Sequence, residues 1–258
     1  MDIYYEVRGT GPVLLMIPGG NGDAGPYERV AEALAPRRTV VIYDRRGFSR
    51  SAPAVKLRLA TDVDDAVRLI DKLSDGPADV FGNSSGAIVG LELLARHPDR
   101  VRTLVAHEPP SVTLLPDTAR HLAFFDEVYD TYRRDGVEAA MATFAAGTGS
   151  GGAPQPPPGV ELPPPIAEMI ARIQRNLPFW LEHELRQYTA VTPDVAALAA
   201  VSSQLVLAGG RDSRDQLPYR PNLVLAERLG LSVVDFPGDH IGFVRHPVEF
   251  AEQLDRVL

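Results

Sequence analysis

Residues 80–98 read VFGNSSGAIVGLELLARHP: a short apolar run, the pentapeptide Gly82-Asn83-Ser84-Ser85-Gly86, then apolar residues at helical spacing up to His97-Pro98. Glycine and serine are common turn residues, so the pentapeptide alone is compatible with a plain loop. Its flanks favour another reading. A strand before it and a helix after it put Ser84 at a sharp strand-to-helix corner, where the G-x-S-x-G pattern exposes one hydroxyl. Gly82 and Gly86 remove side chains where strand and helix pass closely. The helix N-terminus behind the serine supplies free N–H groups and a dipole favourable to developing negative charge. Ser84 is therefore a candidate nucleophile, and Ser85 a candidate oxyanion donor through its backbone N–H.

Working outward, the runs IYYEV (3–7), VLLMIP (13–18) and TVVIYD (39–44) read as strands, the first alternating like an edge strand and the others continuous like buried ones. YERVAEALAPR and DVDDAVRLIDKLSD read as helices between them and the pentapeptide. VRTLVAHEPP follows as a buried strand halted by Pro109 and Pro110. From 203 onward SQLVLAGG, YRPNLVLAERLG, SVVDFPG and PVEFAEQLDRVL resume the alternation. Alternating strands and helices predict an α/β fold with a mostly parallel sheet and helices on both faces.

The alternation fails between 111 and 199. That stretch holds helical segments, FFDEVYDTYRRDG and PPIAEMIARIQRNLPFWLEHELRQY, and a Gly/Pro-rich connector, GTGSGGAPQPPPGVELPPP (147–165). The expected organisation is a core of 1–110 and 200–258, with 111–199 a helical cap over the carboxyl ends of the strands, where such sheets bind ligands.

Bulk properties narrow the class. The chain has 258 residues, a net charge of −8 and no cysteine. This balance argues against a nucleic-acid surface, and the missing cysteine removes disulfides, a thiol nucleophile and Cys-ligated metal sites. There is no basic-then-apolar leader pattern, no membrane-length apolar run and no H-E-x-x-H. The expectation is a cytoplasmic monomer or homodimer acting on a small molecule, without cofactor, metal, nucleic acid or membrane.

A serine nucleophile needs a base. Among six histidines, His97 and His246 precede prolines at helix boundaries, His121 and His183 lie in the helical stretch, and His107 adjoins Glu108 on a strand. His240 lies in the Gly-flanked loop FPGDHIGF between the last strand and the last helix. A second oxyanion donor is expected from the Gly-rich loop Pro18-Gly19-Gly20-Asn21-Gly22, Gly20 being the better candidate. No phosphate-loop lysine follows these glycines.

Over nearly its whole length the chain resembles the α/β-hydrolase superfamily, through IPGGNG, DRRGFSRS, GNSSG, AGGRDS and GDHIGF. Within it, YYEVRGTGP, the Ser-Ser elbow, HEPP and a tryptophan in the helical stretch are similar to zearalenone-type lactonases. The resemblance implies a serine hydrolase of esters or lactones, with His240 as base and Trp180, the only tryptophan, against the substrate. For the acid it leaves two candidates. Asp212 follows the penultimate strand, the usual superfamily place; Glu108 stands where the lactonases carry a glutamate. A buried strand-end carboxylate before two prolines is expensive without a partner, which favours Glu108. Phe124, Phe125, Phe179, Leu181 and Tyr188 join Trp180 as candidates for an apolar pocket or for the core of the helical stretch. A non-catalytic small-molecule receptor on the same fold is the alternative.

Overall fold

The computed structural model describes residues 3–149 and 162–258. Seven strands, β1 (Tyr5–Arg8), β2 (Val13–Ile17), β3 (Thr39–Tyr43), β4 (Ala78–Asn83), β5 (Val101–His107), β6 (Leu205–Gly210) and β7 (Val233–Phe236), form one sheet in the order β1-β3-β2-β4-β5-β6-β7. β1 pairs antiparallel with β3 at the edge, and every other pairing is parallel. Parallel neighbours need crossovers. These are helices α1 (Glu28–Leu34), α2 (Leu59–Leu73), α3 (Ser85–Arg96) and α9 (Arg220–Leu229), with α10 (Gly242–Arg245) and α11 (Pro247–Val257) closing the chain.

Side-chain alternation on β2 shows why its continuous apolar run suits a sheet covered on both sides. Leu14 and Met16 pack with Val30, Leu34, Phe250 and Leu254 of α1 and α11. Leu15 and Ile17 pack with Val63, Leu69, Ile88 and Leu91 of α2 and α3. α2 starts at Leu59, ahead of the acidic run, because Arg58 is still extended (φ −141°) and the helix begins directly after it.

Between β5 and β6 the chain makes α4 (Thr118–Asp135), α5 (Val137–Thr148), α6 (Pro164–His183), α7 (Leu185–Thr189) and α8 (Val195–Ala200). α4 and α5 fold back on each other at Gly136, whose φ of +89° suits glycine. The run expected as one helix to Tyr188 is two, interrupted at Glu184 (φ −114°), whose side chain is buried. Of the Gly/Pro-rich connector, 147–148 end α5 and 164–165 begin α6, while 150–161 lie outside the described residues. Among the described residues no helix is long and apolar enough to cross a membrane.

Candidate active site

β4 delivers Ser84 at its carboxyl end, and Ser84 takes φ +55°, ψ −123°, a conformation rare outside glycine. Close packing holds it there. A Cβ on Gly82 would lie 2.4 Å from the Gly86 carbonyl oxygen, and one on Gly86 would lie 2.2 Å from that of Ile17. Both obstacles are backbone, so neither position has room for a side chain. The Ser84 N–H donates to the His107 carbonyl (2.9 Å), tying the corner to β5. Ser85, first residue of α3, has no intrahelical partner for its N–H. Among the described residues the Gly20 and Ser85 N–H groups make no hydrogen bond.

The end of β5 repeats the device. Glu108 has φ +50° and is fully buried. Its Oε2 lies 2.6 Å from His240 Nδ1. Its Oε1 accepts the Gly210 N–H (2.7 Å) and the Ser213 hydroxyl. Burial alone would raise its pKa, but the hydrogen bond and charge of His240, aided by His107 and Ser213, hold it at about 2. Glu108 is thus a carboxylate at neutral pH, and it fixes the imidazole with a proton on Nδ1 and Nε2 free to accept one.

Asn83 tightens the same corner, its Nδ2 lying 3.1 Å from the His240 carbonyl and 3.1 Å from His107 Nδ1. Because Asn83 donates, His107 Nδ1 accepts. Burial lowers the His107 pKa to about 4, against the pull of Glu108, so this ring is neutral. Ligand atoms of His107, Glu108 and His240 lie within 4.8 Å of one another, spacing that would suit a metal ion. Both Glu108 oxygens and His107 Nδ1 are, however, already engaged in hydrogen bonds.

Ser84, Ser85 and His240 face one cavity of about 50 Å³, roofed by Phe125, Phe144, Trp180, Leu185 and Thr189 of the helical insertion. Among the described residues the hydrogen bond of the His240 ring is to Glu108, and Ser84 Oγ makes none to it. Trp180 stands edge-on to Phe144 at 5.3 Å and presses on Gly20, where a Cβ would lie 2.2 Å from Nε1. Asp212 is not brought to the imidazole: its side chain is 62% exposed, with Arg211 Nε 3.9 Å from Oδ1. Of the other candidate aromatics, Phe125 lines the cavity, whereas Phe179 packs on Phe48 and Tyr188 bonds Asp62. Leu181 and Phe124 are also absent from the lining.

Sequence reasoning passed over Asn83, Ser213, Phe144, Leu185 and the proline pair Pro110 and Pro218, which also line or support the site. Asn83 and Ser213 lie inside motifs already singled out, GNSSG and AGGRDS, so attention to every polar member of those motifs would have found them. Phe144 and Leu185 carry no such mark.

Comparison with known proteins agrees with this architecture. Residues 12–147 match the family model described as alpha/beta hydrolase fold. The uncharacterized hydrolase YraK of Bacillus subtilis is 36% identical over 266 residues, covering 100% of this chain and 92% of that protein. The zearalenone hydrolase of Bionectria ochroleuca is 28% identical, covering 96% of this chain and 90% of its own length. A thermophilic esterase from Thermogutta terrifontis superposes with a TM-score of 0.75 at 19% identity, over 99% of this chain and 92% of the esterase. With a matching family model across more than half its length and a full-length relative at this identity, the chain belongs to the α/β-hydrolase fold family and is one of its hydrolases.

Proposed function

We propose that the protein is a serine hydrolase of a carboxylic ester or lactone of a hydrophobic small molecule, working through an acyl-enzyme. The observation that carries this reading is the pair of left-handed strand ends, Ser84 (φ +55°) and Glu108 (φ +50°), set around one imidazole. Non-glycine residues held there cost about 1–3 kcal/mol each, and such outliers cluster where geometry serves chemistry.

In this mechanism His240 Nε2 takes the Ser84 proton as Oγ attacks the carbonyl carbon. The tetrahedral oxyanion sits on the Gly20 and Ser85 N–H groups, and Glu108 stabilises the imidazolium. The proton then passes to the leaving alkoxide, and the C–O bond breaks to leave an acyl-Ser84 ester. His240 next activates a water that hydrolyses this ester and regenerates Ser84. The preference for an ester or lactone draws on the likeness to zearalenone hydrolase and on the apolar roof. Reading 111–199 as a cap over the site is part of this proposal, supported by the roof that Phe125, Phe144, Trp180, Leu185 and Thr189 form. The mostly apolar lining suits a hydrophobic acyl or alcohol portion.

The test is Ser84→Ala, assayed on p-nitrophenyl acetate and butyrate with folding checked by circular dichroism. Hydrolysis is expected to fall by roughly four to six orders of magnitude, as for nucleophile removal in other serine enzymes. A folded Ser84→Ala variant with near-native turnover would refute the serine mechanism.

A further inference from the structure

Arg45 is the largest fully buried side chain among the described residues. It leaves the end of β3 and lies between the sheet and the helical insertion, its guanidinium 5.3 Å from the Phe48 ring and 5.4 Å from that of Tyr188. Nη2 lies 2.6 Å from Asp62 Oδ2 of α2. Glu184, at the break between α6 and α7, meets the same group: Nη1 donates to Oε1 (3.1 Å), and Oε2 lies at an ion-pair distance of 2.9 Å from Nη2. Tyr188 donates its phenol to Asp62. Burial raises the Glu184 pKa, with Arg45 and the neighbouring Ser85 hydroxyl pulling it down. Such a cluster is no cheap way to hold a helix against a sheet. Buried ion pairs are often no more stabilising than apolar residues of the same volume, and their best-attested use is to fix one arrangement.

The arrangement fixed here is that of a single peptide. Arg45 Nη1 also donates to the Gly19 carbonyl oxygen (3.2 Å), which accepts the Gly22 N–H as well (2.9 Å). That carbonyl belongs to the same planar trans unit as the Gly20 N–H, so holding the oxygen on one side points the N–H to the other. The peptide also stands beside the nucleophile, since a Cβ on Gly19 would lie 3.1 Å from Ser84 Cβ.

We infer that Arg45, held by Glu184, is a positioning residue that orients the Gly19–Gly20 peptide toward the oxyanion, so that one oxyanion donor is in place only when the helical insertion is seated. This rests on the serine mechanism proposed above. It assigns catalytic consequence to a pair that touches neither substrate nor nucleophile.

Arg45→Lys is the test, because an ammonium can still pair with Asp62 but cannot hold Glu184 and the Gly19 oxygen together. The expected result is a fall in kcat of about ten- to a hundredfold, below the roughly 10²–10³ for outright removal of an oxyanion donor. KM should stay within about threefold, because the interaction lost is one made in the transition state. Inhibition by a trifluoromethyl ketone, which mimics the tetrahedral oxyanion, should weaken in step with kcat/KM. Glu184→Gln keeps the shape and should shift kcat and inhibitor affinity in the same direction by less; it carries the test if Arg45→Lys does not fold. Unchanged kcat and inhibitor affinity in a folded variant, or a loss confined to KM or to melting temperature, overturns the inference. Ser84→Ala in the same assay separates the two claims: an inactive Ser84→Ala beside a native-like Arg45→Lys overturns the positioning role alone, whereas an active Ser84→Ala overturns the mechanism beneath it.

Discussion

The floor of the site, with Ser84 and Glu108 at two strand ends and His240 in the loop after β7, is tied by hydrogen bonds to backbone and side chains; the roof is built from helices that touch the cavity mostly with apolar side chains. Glu108 alone accepts from Gly210, Ser213 and His240 while fully buried. On the roof, Phe125, Phe144, Trp180 and Leu185 meet the cavity through van der Waals contact, and the insertion is anchored to the loops below by guanidinium pairs, Arg45–Glu184 and Arg172–Asp23. The difference is one of tolerance. Moving a floor residue strands a buried polar group, at a cost of about 1–3 kcal/mol or more for a charge. Reshaping the roof exchanges one apolar contact for another. Under the proposed mechanism, chemistry falls to the hydrogen-bonded floor and substrate choice to the apolar roof.

The largest test of that division sets two carboxylates on adjacent strand ends against each other. Glu108→Gln and Asp212→Asn remove charge and keep shape. With Glu108 at 2.6 Å from His240 and Asp212 62% exposed, kcat should fall by up to about four orders of magnitude in the first, the loss seen when a triad acid is neutralised. Asp212→Asn should cost about threefold or less, as for a surface change away from the chemistry. Steady-state kinetics on one activated ester measures both. A severe loss at Asp212 with a mild one at Glu108 would move the acid to β6 and leave the floor's most buried group unexplained.

A smaller effect separates the floor's stability from its catalysis. Burial lowers the His107 pKa from 6.5 to about 4. Between those values the unfolded chain binds a proton that the folded protein refuses, so unfolding takes up protons and stability rises with pH. The contribution is complete above pH 6.5 and is lost progressively as pH falls to about 4. At about 1.4 kcal/mol per unit it amounts to roughly 3 kcal/mol. Glu108, also lowered, acts in the same direction but in a separate window, from 4.5 down to about 2. His107→Asn keeps an acceptor for Asn83, and urea unfolding at pH 7.5 and 4.5 should show a shallower loss of stability in this variant than in the native chain. Equal losses in both would mean that His107 is protonated in the fold.

The same division governs what could be read from the sequence. Glu108 shared the acid's place with Asp212 until the fold set it against His240; Ser84, His240 and Gly20 stand in glycine-flanked segments just after apolar strand runs, where local pattern and position coincide. Those are short-range signals. The insertion was legible only as helical. Which of its aromatics face the cavity depends on how α4, α5, α6 and α7 pack, and helical spacing alone put Phe179 and Tyr188 on the same footing as Phe125 and Trp180. Glu184 was invisible for a related reason. A charged residue in a helical run reads as a solvated face, and only the fold shows it buried against Arg45, distant in the chain, at the break between α6 and α7. Asp212 shows the converse: a residue in the customary place for an acid stands exposed, while Glu108 of the neighbouring strand meets the imidazole.

The smallest expected effect belongs to the roof, and its selectivity matters more than its size. Trp180 is 8% exposed, lines the cavity and stands against Phe144 and Gly20. If the roof chooses substrates, Trp180→Ala should lower kcat/KM about ten- to a hundredfold for a bulky aromatic ester or lactone, the scale of a lost apolar contact in a specificity pocket. A small acetate ester reaches Ser84 without leaning on the indole, and should lose about threefold or less by the same reasoning. The ratio between the two substrates is the readout, taken from parallel assays of p-nitrophenyl acetate and an aromatic lactone. Melting temperature supplies the control, because an indole this buried also packs its neighbours. Equal losses on both substrates together with a lowered melting temperature would place Trp180 in the insertion's own core, and would hand substrate choice to Phe125, Phe144 and Leu185.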